Sequence, residues 1–389
     1  MTGPDRAETY GTLPPGVDEV AGDAPHLVSQ HRRTIAGYVP GVTTANAGPT
    51  PVRIGLLYDF PQGDDLFAHA FRLGLDDVGD RLDREVELIE QHARGLPSGS
   101  EHEVVEGFDA LCTQGVLVIV GPSISDNALI VAPLTDQRRV PAINYTGGER
   151  TRSEWMFHYQ VGSLEEEPPV LAARMVERGL RRAAVLFDQS PVGRRYAEAF
   201  EAARARLGLE VTGSASVSPL SENVVGVLEQ LRDGKPDVLV YFGLGVASRA
   251  VALARAELAW DVPVLANSAL MFGYARPDWR DGYAGWEYLD TVADDNRMRA
   301  ALRERSRRAA GGPIGCAAYD IGRLVGEAIA RAEHLTRAGV AEGLRRVKQL
   351  PATSGHEGTL MGFGYWDHAA LKGHFLVLRE WRDGRSVQI

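Results

Sequence analysis

From Val52 onward, short apolar runs rich in Val, Ile and Leu alternate with longer stretches whose apolar residues recur every three or four positions. The runs at 52–58, 85–90, 116–120, 140–143 and 156–161 read as strands, with helices over 66–78 and 103–114 and another between the strands at 116–120 and 140–143. The rhythm then restarts. Helices are expected at 166–178, 193–207, 224–232 and 247–258, and strands at 183–187, 210–217, 238–242 and 262–265. Parallel strands covered on both faces read as near-continuous apolar runs, so two successive rounds of β-α units predict an α/β chain with two doubly wound parallel sheets. The ending differs: 294–310 and 319–336 read as long helices, 340–349 as a shorter one and 374–381 as a late strand. Such a tail can return first to one lobe and then to the other. That predicts two lobes joined by a multi-crossing hinge. Lobe one is expected to hold 51–162 and 290–352, and lobe two 163–289 and 353–389. Residues 1–50, with Pro, Gly, Thr and Asp and little periodicity, read as an irregular arm with a short helix over 26–39.

The stretch GVLVIVGPSISDNALIVAPLTDQRRVPAINYTGG, residues 115–148, carries the most chemistry. Gly121 and Pro122 stop a strand, and Ser123 or Ser125 can cap the helix that follows. Asn144, Tyr145 and Thr146 are expected past the end of the next strand. In a parallel sheet both loops lie at the carboxyl edge, where open α/β folds bind ligands. Each feature also has a plain structural reading. The serines can be caps alone, Phe60 can be core or an apolar wall, and Trp155 can pack near the hinge. Glu165, Glu166 and Glu167 suit a helix N-terminus through the macrodipole.

Composition narrows the function. The 389-residue chain carries a formal charge of −10, which argues against nucleic acid as a partner. Its two cysteines, Cys112 and Cys316, are far apart and read as two buried thiols. No apolar run approaches the roughly 18 residues that span a bilayer. The start, MTGPDRAETYGTLPPGVDEV, has no basic region followed by an apolar one and no lipidation site. As written the chain is expected to be cytoplasmic, and extracytoplasmic if this N-terminus is trimmed or mis-assigned.

Catalysis finds little support. The ten histidines are scattered, no H-x-x-x-H or C-x-x-C spacing offers a metal site, and there is no G-x-S-x-G elbow. Gly243-Leu244-Gly245-Val246-Ala247-Ser248 follows a strand and opens a helix, as a dinucleotide loop would. Its third glycine position is Ser248, and the next strand ends in Asn267 where an acidic residue would hold a ribose. No cofactor, no metal and no catalytic residue are therefore expected. His356 and Glu357 lie in a Gly-rich turn, and the run 303–308 reads as a solvated basic face.

From about Val52 to Trp381 the chain resembles the type I periplasmic binding proteins of the leucine/isoleucine/valine class. The resemblance lies in VRIGLLYDFP, in VGPSIS followed by AP and VPAINYTGG, and in AAVLFDQSPVGRRYAEAFEAARARLGLEV with its D-x-x-x-x-G loop. KPDVLVYFGLG and AAYDIGRLVGEAIARA continue it. It implies two lobes that close on a small organic ligand. Ser123, Ser125, Tyr145, Thr146 and Gly148 of lobe one would anchor the ligand, with Phe60 nearby. Gln189, Val192, Gly245, Asn267 and Ser268 of lobe two would complete the cage. Amino-acid binders of this class often put aromatics near 192 and 245 and an acid near 268. Val192, Gly245 and Ser268 depart from that, so the resemblance implies an amide, an aromatic acid or another small uncharged ligand. Asp59 or Glu165 to Glu167 can supply negative charge from elsewhere. The implied role is delivery to an ABC permease. The alternative is a cytoplasmic, amide-responsive sensor acting on a regulatory protein, and a nucleotide-dependent enzyme is a distant third.

Overall fold

The computed structural model describes residues 51–60, 66–272, 277–306 and 312–389. The arm expected over 1–50, with its helix, lies outside them. Lobe one opens with β1 (Val52–Tyr58), α1 (Leu66–Asp76), β2 (Val86–His92), α2 (Glu101–Thr113) and β3 (Val118–Val120). It continues with α3 (Ser125–Arg138), β4 (Ala142–Thr146) and β5 (Met156–Gln160). The five strands form one parallel sheet in the order β2-β1-β3-β4-β5. β3, β4 and β5 are buried throughout, because helices cover both faces.

Lobe two holds α4 (Glu167–Glu177), β6 (Arg182–Asp188), α5 (Pro191–Leu207), β7 (Glu210–Val217), α6 (Val225–Asp233) and β8 (Val238–Phe242). α7 (Ser248–Glu257), β9 (Val264–Ala266), the short α8 (Ala269–Phe272) and β10 (Glu287–Asp290) follow. The last segments are α9 (Arg297–Arg305), α10 (Pro313–Ala330), α11 (Arg337–Arg346), the two-residue strands β11 (Leu350–Pro351), β12 (Leu360–Met361) and β13 (Leu371–Lys372), then β14 (Val377–Arg382) and β15 (Arg385–Gln388). The second sheet runs β15-β14-β10-β9-β8-β6-β7, parallel from β10 to β7 and antiparallel at β14 and β15. β10, β11 to β13 and β15 were not expected from the hydrophobic pattern.

Each sheet is sandwiched. In lobe one, Ile54, Leu56 and Val120 pack against Phe71 of α1 and Leu324 of α10, while Leu57 and Ile119 pack against Phe108 and Leu111 of α2 and Val131 of α3. In lobe two, Leu239 and Tyr241 meet α6 and α7 through Leu228 and Val251. Val185 and Val240 meet α4 and α5 through Leu171, Met175 and Phe200. α1 and α10 approach backbone to backbone. A Cβ on Gly74 would lie 2.1 Å from the Tyr319 carbonyl oxygen, and one on Gly322 would lie 2.1 Å from that of Phe71.

The chain passes between the lobes at 161–166, 291–296 and 373–376, since Val161 and Val292 are still buried in lobe one and Leu376 packs on both. This corrects the expected boundary at 353. Met361, Phe363, Ala370 and Leu371 belong to the core of lobe one. The His368 carbonyl accepts from His158 N–H and Ala370 N–H donates to the His158 carbonyl, extending the free edge of β5. Asp290 in turn ends a lobe-two strand. Both cysteines are free thiols, Cys316 buried and Cys112 only half-buried.

Candidate functional site

The lobe-one loop is built around Asp59, just past β1. Its buried carboxylate accepts from Ser123 N–H at 2.8 Å, Ser123 Oγ at 2.7 Å, Ile124 N–H at 3.0 Å and Asn127 Nδ2 at 2.8 Å. Burial pushes its pKa up, and those bonds pull it back. Gly121 makes the turn possible. Its φ is +117°, and a Cβ there would meet the Leu57 carbonyl oxygen at 2.3 Å. Neither serine caps α3. Its N-cap is Ile124, without a side-chain bond, and Ser123 spends its hydroxyl on Asp59. Ser125 opens the helix beside Gly148, whose Cβ would lie 3.3 Å from Ser125 Oγ.

Asn144, Tyr145 and Thr146 are the end of β4 and do not lie past it. Thr146 turns into the lobe. Its hydroxyl donates to Asn144 Oδ1 at 2.9 Å, and its carbonyl lies 2.8 Å from His158 Nε2. Burial, with Arg152 nearby, lowers the His158 pKa to about 3, so the ring is neutral. Tyr145 stacks on Phe67 with ring centroids 4.7 Å apart. Phe60 packs half-buried on the lobe-one core.

Lobe two mirrors this arrangement. Asp188 ends β6, fully buried, and accepts from Leu244 N–H at 2.7 Å and Tyr241 OH at 3.2 Å. Gly243 lies flat against it, since a Cβ there would sit 2.2 Å from Asp188 Cγ. Asn267 clamps the same glycine, accepting from its N–H at 3.1 Å and donating to its carbonyl at 2.9 Å. Glu167, buried at the start of α4, accepts from Ser163 N–H, Ser268 N–H, Ser268 Oγ and Tyr196 OH at 2.6 to 3.0 Å. A carboxyl therefore does stand behind Ser268, delivered from 101 residues away.

These two edges face each other. Ser123, Ile124, Ser125 and Gly147 meet Val192, Tyr196, Gly243, Leu244, Asn267, Ser268 and Ala269 across a cavity of ≈ 30 Å³, with Val161 and Leu164 from the first crossing. That volume takes about one water. Leu244 of lobe two is buried in the lobe-one core, so the lobes are closed on each other. A larger groove of ≈ 700 Å³ lies on lobe two between α7 and the turn at Pro277–Tyr283, away from both carboxyl edges.

Of the expected ligand residues, Ser123, Ser125, Val192, Asn267 and Ser268 come together at this cavity. Phe60, Tyr145, Thr146, Gly148 and Gly245 do not line it. Gln189 is exposed and donates to Ser216 Oγ of the neighbouring strand β7.

Negative charge at the lobe-two edge comes from Glu167, one of the residues expected to supply it, and from Asp188, which was not; Asp126 adds a carboxyl from lobe one. Asp126, in the first turn of α3, faces the Val192 N–H across the cleft, and its Oδ1 has no hydrogen-bond partner among the described residues. Burial pushes the pKa of Asp126 up to about 6. Burial does the same to Asp188 and Glu167, each up to about 7, and Asp126 also bears on Asp188. No basic side chain lines the cavity among the described residues. Asp126 lies inside SISDN and Asp188 inside FDQSPVG, and nothing local in either stretch marks its carboxyl as buried.

Residues 51–370 match the model of a periplasmic binding protein family. The fold is similar to a leucine-binding protein from Thermotoga maritima, with a TM-score of 0.73 at 16% identity over 87% of this chain and 97% of that one. An ABC transporter substrate-binding protein from Desulfitobacterium hafniense, solved with Leu, gives 0.72 at 17% identity over 87% and 100%. Another from Sphaerobacter thermophilus gives 0.70 at 18% over 87% and 96%. No curated protein matches the sequence.

Proposed function

The chain belongs to the periplasmic binding protein family, and from that premise we propose that it closes on a small organic ligand in the interlobe cleft and releases it unchanged. The family consists of substrate-binding proteins. The observation that carries the reading is the meeting of the two carboxyl sheet edges at one cavity, each edge held rigid by a buried carboxylate, Asp59 below and Asp188 above.

The two edges differ in chemistry, and this selects a ligand class. Lobe one presents Ser125 and the first-turn N–H groups of α3, a 14-residue helix whose N-terminus favours an acceptor or anion. Asp188 and Glu167 behind the lobe-two edge, with Asp126 reaching the Val192 N–H of that edge from the first turn of α3, favour hydrogen-bond donors. A ligand with a carbonyl or carboxylate at one end and N–H groups at the other fits both, which means an amide or an amino-acid-like molecule. Leucine in one related structure is of that class. Such a ligand exceeds the present cavity, so the lobes part to admit it and close behind it. The role we propose is solute binding for an ABC-type importer, as the related proteins are named.

A thermal-shift screen of aliphatic amides and amino acids tests the ligand class. Saturable stabilisation is expected, about 2.7 kcal/mol at a hundred times Kd. It should weaken at least tenfold in Ser125→Ala and Asn267→Ala. Stabilisation that ignores both substitutions, or appears only with aromatic acids, would overturn the reading. Fractionation of native cells tests the role: an exported, membrane-associated pool supports delivery, and a wholly cytoplasmic one supports sensing.

A further inference from the structure

A second cavity, of ≈ 320 Å³, shares no residue with the cleft. Its charge contrasts with the rest of the chain. Among the described residues lining it are four arginines, Arg280, Arg299, Arg303 and Arg379, against two aspartates, Asp290 and Asp294. The chain as a whole carries −10. Like charges repel when gathered, so a local positive excess in an acidic protein needs a counter-charge.

The two aspartates do not supply it. Asp294 is shared, accepting from Arg379 Nη2 at 3.1 Å and Arg299 Nη1 at 2.9 Å. Asp290 turns back on its own chain and accepts from Thr291 N–H at 2.6 Å. Arg379 is buried and fully used. Besides Asp294 it donates to the Val292 carbonyl at 2.9 Å and to Ser386 Oγ at 2.6 Å. Arg280 and Arg303 are different, since neither has an ion pair or hydrogen bond among the described residues. Arg280 lies over the Trp381 ring, 5.7 Å from its centroid, and its buried Nε has no partner. An orphaned buried donor costs roughly 1–3 kcal/mol unless something accepts from it. Arg303 stands one helical turn from Arg299 on the same face of α9, an unfavourable spacing for two cations.

We propose that this cavity binds a compact oxyanion of two or more negative charges, of the phosphate type, held by Arg280 and Arg303 in front of the fixed Arg299–Arg379 wall. Planar guanidinium groups match tetrahedral oxyanions with paired N–H donors. The volume lies within the small-molecule range, so a phosphate carrying an organic group also fits. The site straddles the second crossing. Arg280 and Arg379 belong to lobe two and Arg303 to α9, whose Leu302 is buried in lobe one. A bound anion therefore touches both lobes beside the hinge.

The test is titration of the full chain with inorganic phosphate near pH 7.5, at ionic strength held constant with sodium chloride. Calorimetry and thermal shift should both show saturable phosphate binding, with sulfate competing. Arg280→Ala and Arg303→Ala should each weaken it about tenfold while leaving the phosphate-free melting temperature near wild type. Arg249→Ala, which removes a cation stacked 5.8 Å over Trp279 elsewhere on lobe two, should leave it unchanged. Phosphate acting no more strongly than chloride would overturn the proposal, and so would equal losses in all three variants, which would mark a net-charge effect. Should Arg280→Ala fold poorly, the exposed Arg303→Ala alone decides.

Discussion

Replacing Asp59 by Ala removes one acceptor and strands four donors at once. Ser123 N–H, Ile124 N–H, Ser123 Oγ and Asn127 Nδ2 all point at its two oxygens between 2.7 and 3.0 Å. All three partner residues are buried, so water does not replace the lost acceptor freely. A buried donor left unpaired costs roughly 1–3 kcal/mol, and removing one member of a buried charged network costs about 3–5 kcal/mol in all. The sum is held down because the carboxylate itself is costly to bury, which is why its pKa is raised. We therefore expect a loss of about 4 kcal/mol for Asp59→Ala. Asp59→Asn keeps the shape and the acceptor for Ser123 but turns an NH₂ toward Ile124 and Asn127, so about 2 kcal/mol is expected. At roughly 2 °C per kcal/mol for a chain of this size, the melting temperature should fall by about 8 °C and about 4 °C. Denaturant midpoints at unchanged slope check that stability, and not the unfolded state, has moved. Ligand affinity should fall with both, because the same loop presents Ser125. A loss below about 1 kcal/mol in Asp59→Ala, or an Asn variant as damaged as the Ala variant, would refute the account of this loop.

Gly243→Ala should weaken ligand binding at least tenfold by calorimetry, since its Cβ would lie 2.2 Å from Asp188 Cγ and displace the acceptor of Leu244 N–H. Unchanged affinity would mean that the turn is not part of the site. Closure should depend on pH through Asp126. Its pKa, raised to about 6 in the closed form, falls back toward the ordinary value when the cleft opens, so closing takes up a proton. The favourable term is full below the ordinary aspartate value of 3.8 and is lost as pH rises through about 6. Small-angle scattering of ligand-free protein should show a closing constant about tenfold larger at pH 5 than at pH 8, and Asp126→Asn should flatten that dependence. An equally steep variant would exclude Asp126 as the cause. Tyr159→Phe should destabilise the fold by roughly 1–2 kcal/mol in chemical denaturation, because its OH donates to Asp320 Oδ2 at 2.8 Å within a buried group that includes Ser354. A loss under about 0.5 kcal/mol would argue against that network.

The α/β architecture was legible because burial on both faces writes a continuous apolar run. β1, β7 and β8 fall at the residues expected from the pattern. β10 was not legible. It is four residues long, and its Glu287 is buried only because Arg174 reaches it at 2.7 Å from 113 residues away, with Arg178 beside it. The crossing near 373 was missed for a similar reason, since the segment 368–371 before it gains its place by bonding to His158 and Gln160 of β5. At the site, the pattern marks which polar residues end a strand but not which way they face. Ser123 and Thr146 look alike in sequence, yet Asp59 holds one at the cleft and Asn144 draws the other inward. Glu167 was read as a helix-end charge or as negative charge for the site, and is a buried acceptor for Ser268.

The electrostatics of the closed cleft bear on how a ligand drives closure. Asp126, Asp188 and Glu167 are buried around a cavity with no basic side chain among the described lining residues. Near neutral pH, closing with the Val192 N–H as the only donor to Asp126 must either leave its other oxygen desolvated and unpaired or protonate the carboxyl. The rise of its pKa from 3.8 to about 6 puts that penalty at roughly 3 kcal/mol. Asp188 and Glu167 have partners within lobe two, so part of their burial survives opening and they contribute less to the difference. A ligand that brings an N–H to the unpaired Asp126 oxygen offsets the penalty only in the closed form. Differential affinity of that kind is what shifts a two-state equilibrium, and roughly 3 kcal/mol corresponds to a shift of about two orders of magnitude. Donor-bearing ligands should therefore close the lobes, while isosteric ligands lacking the N–H should bind lobe one and leave them open.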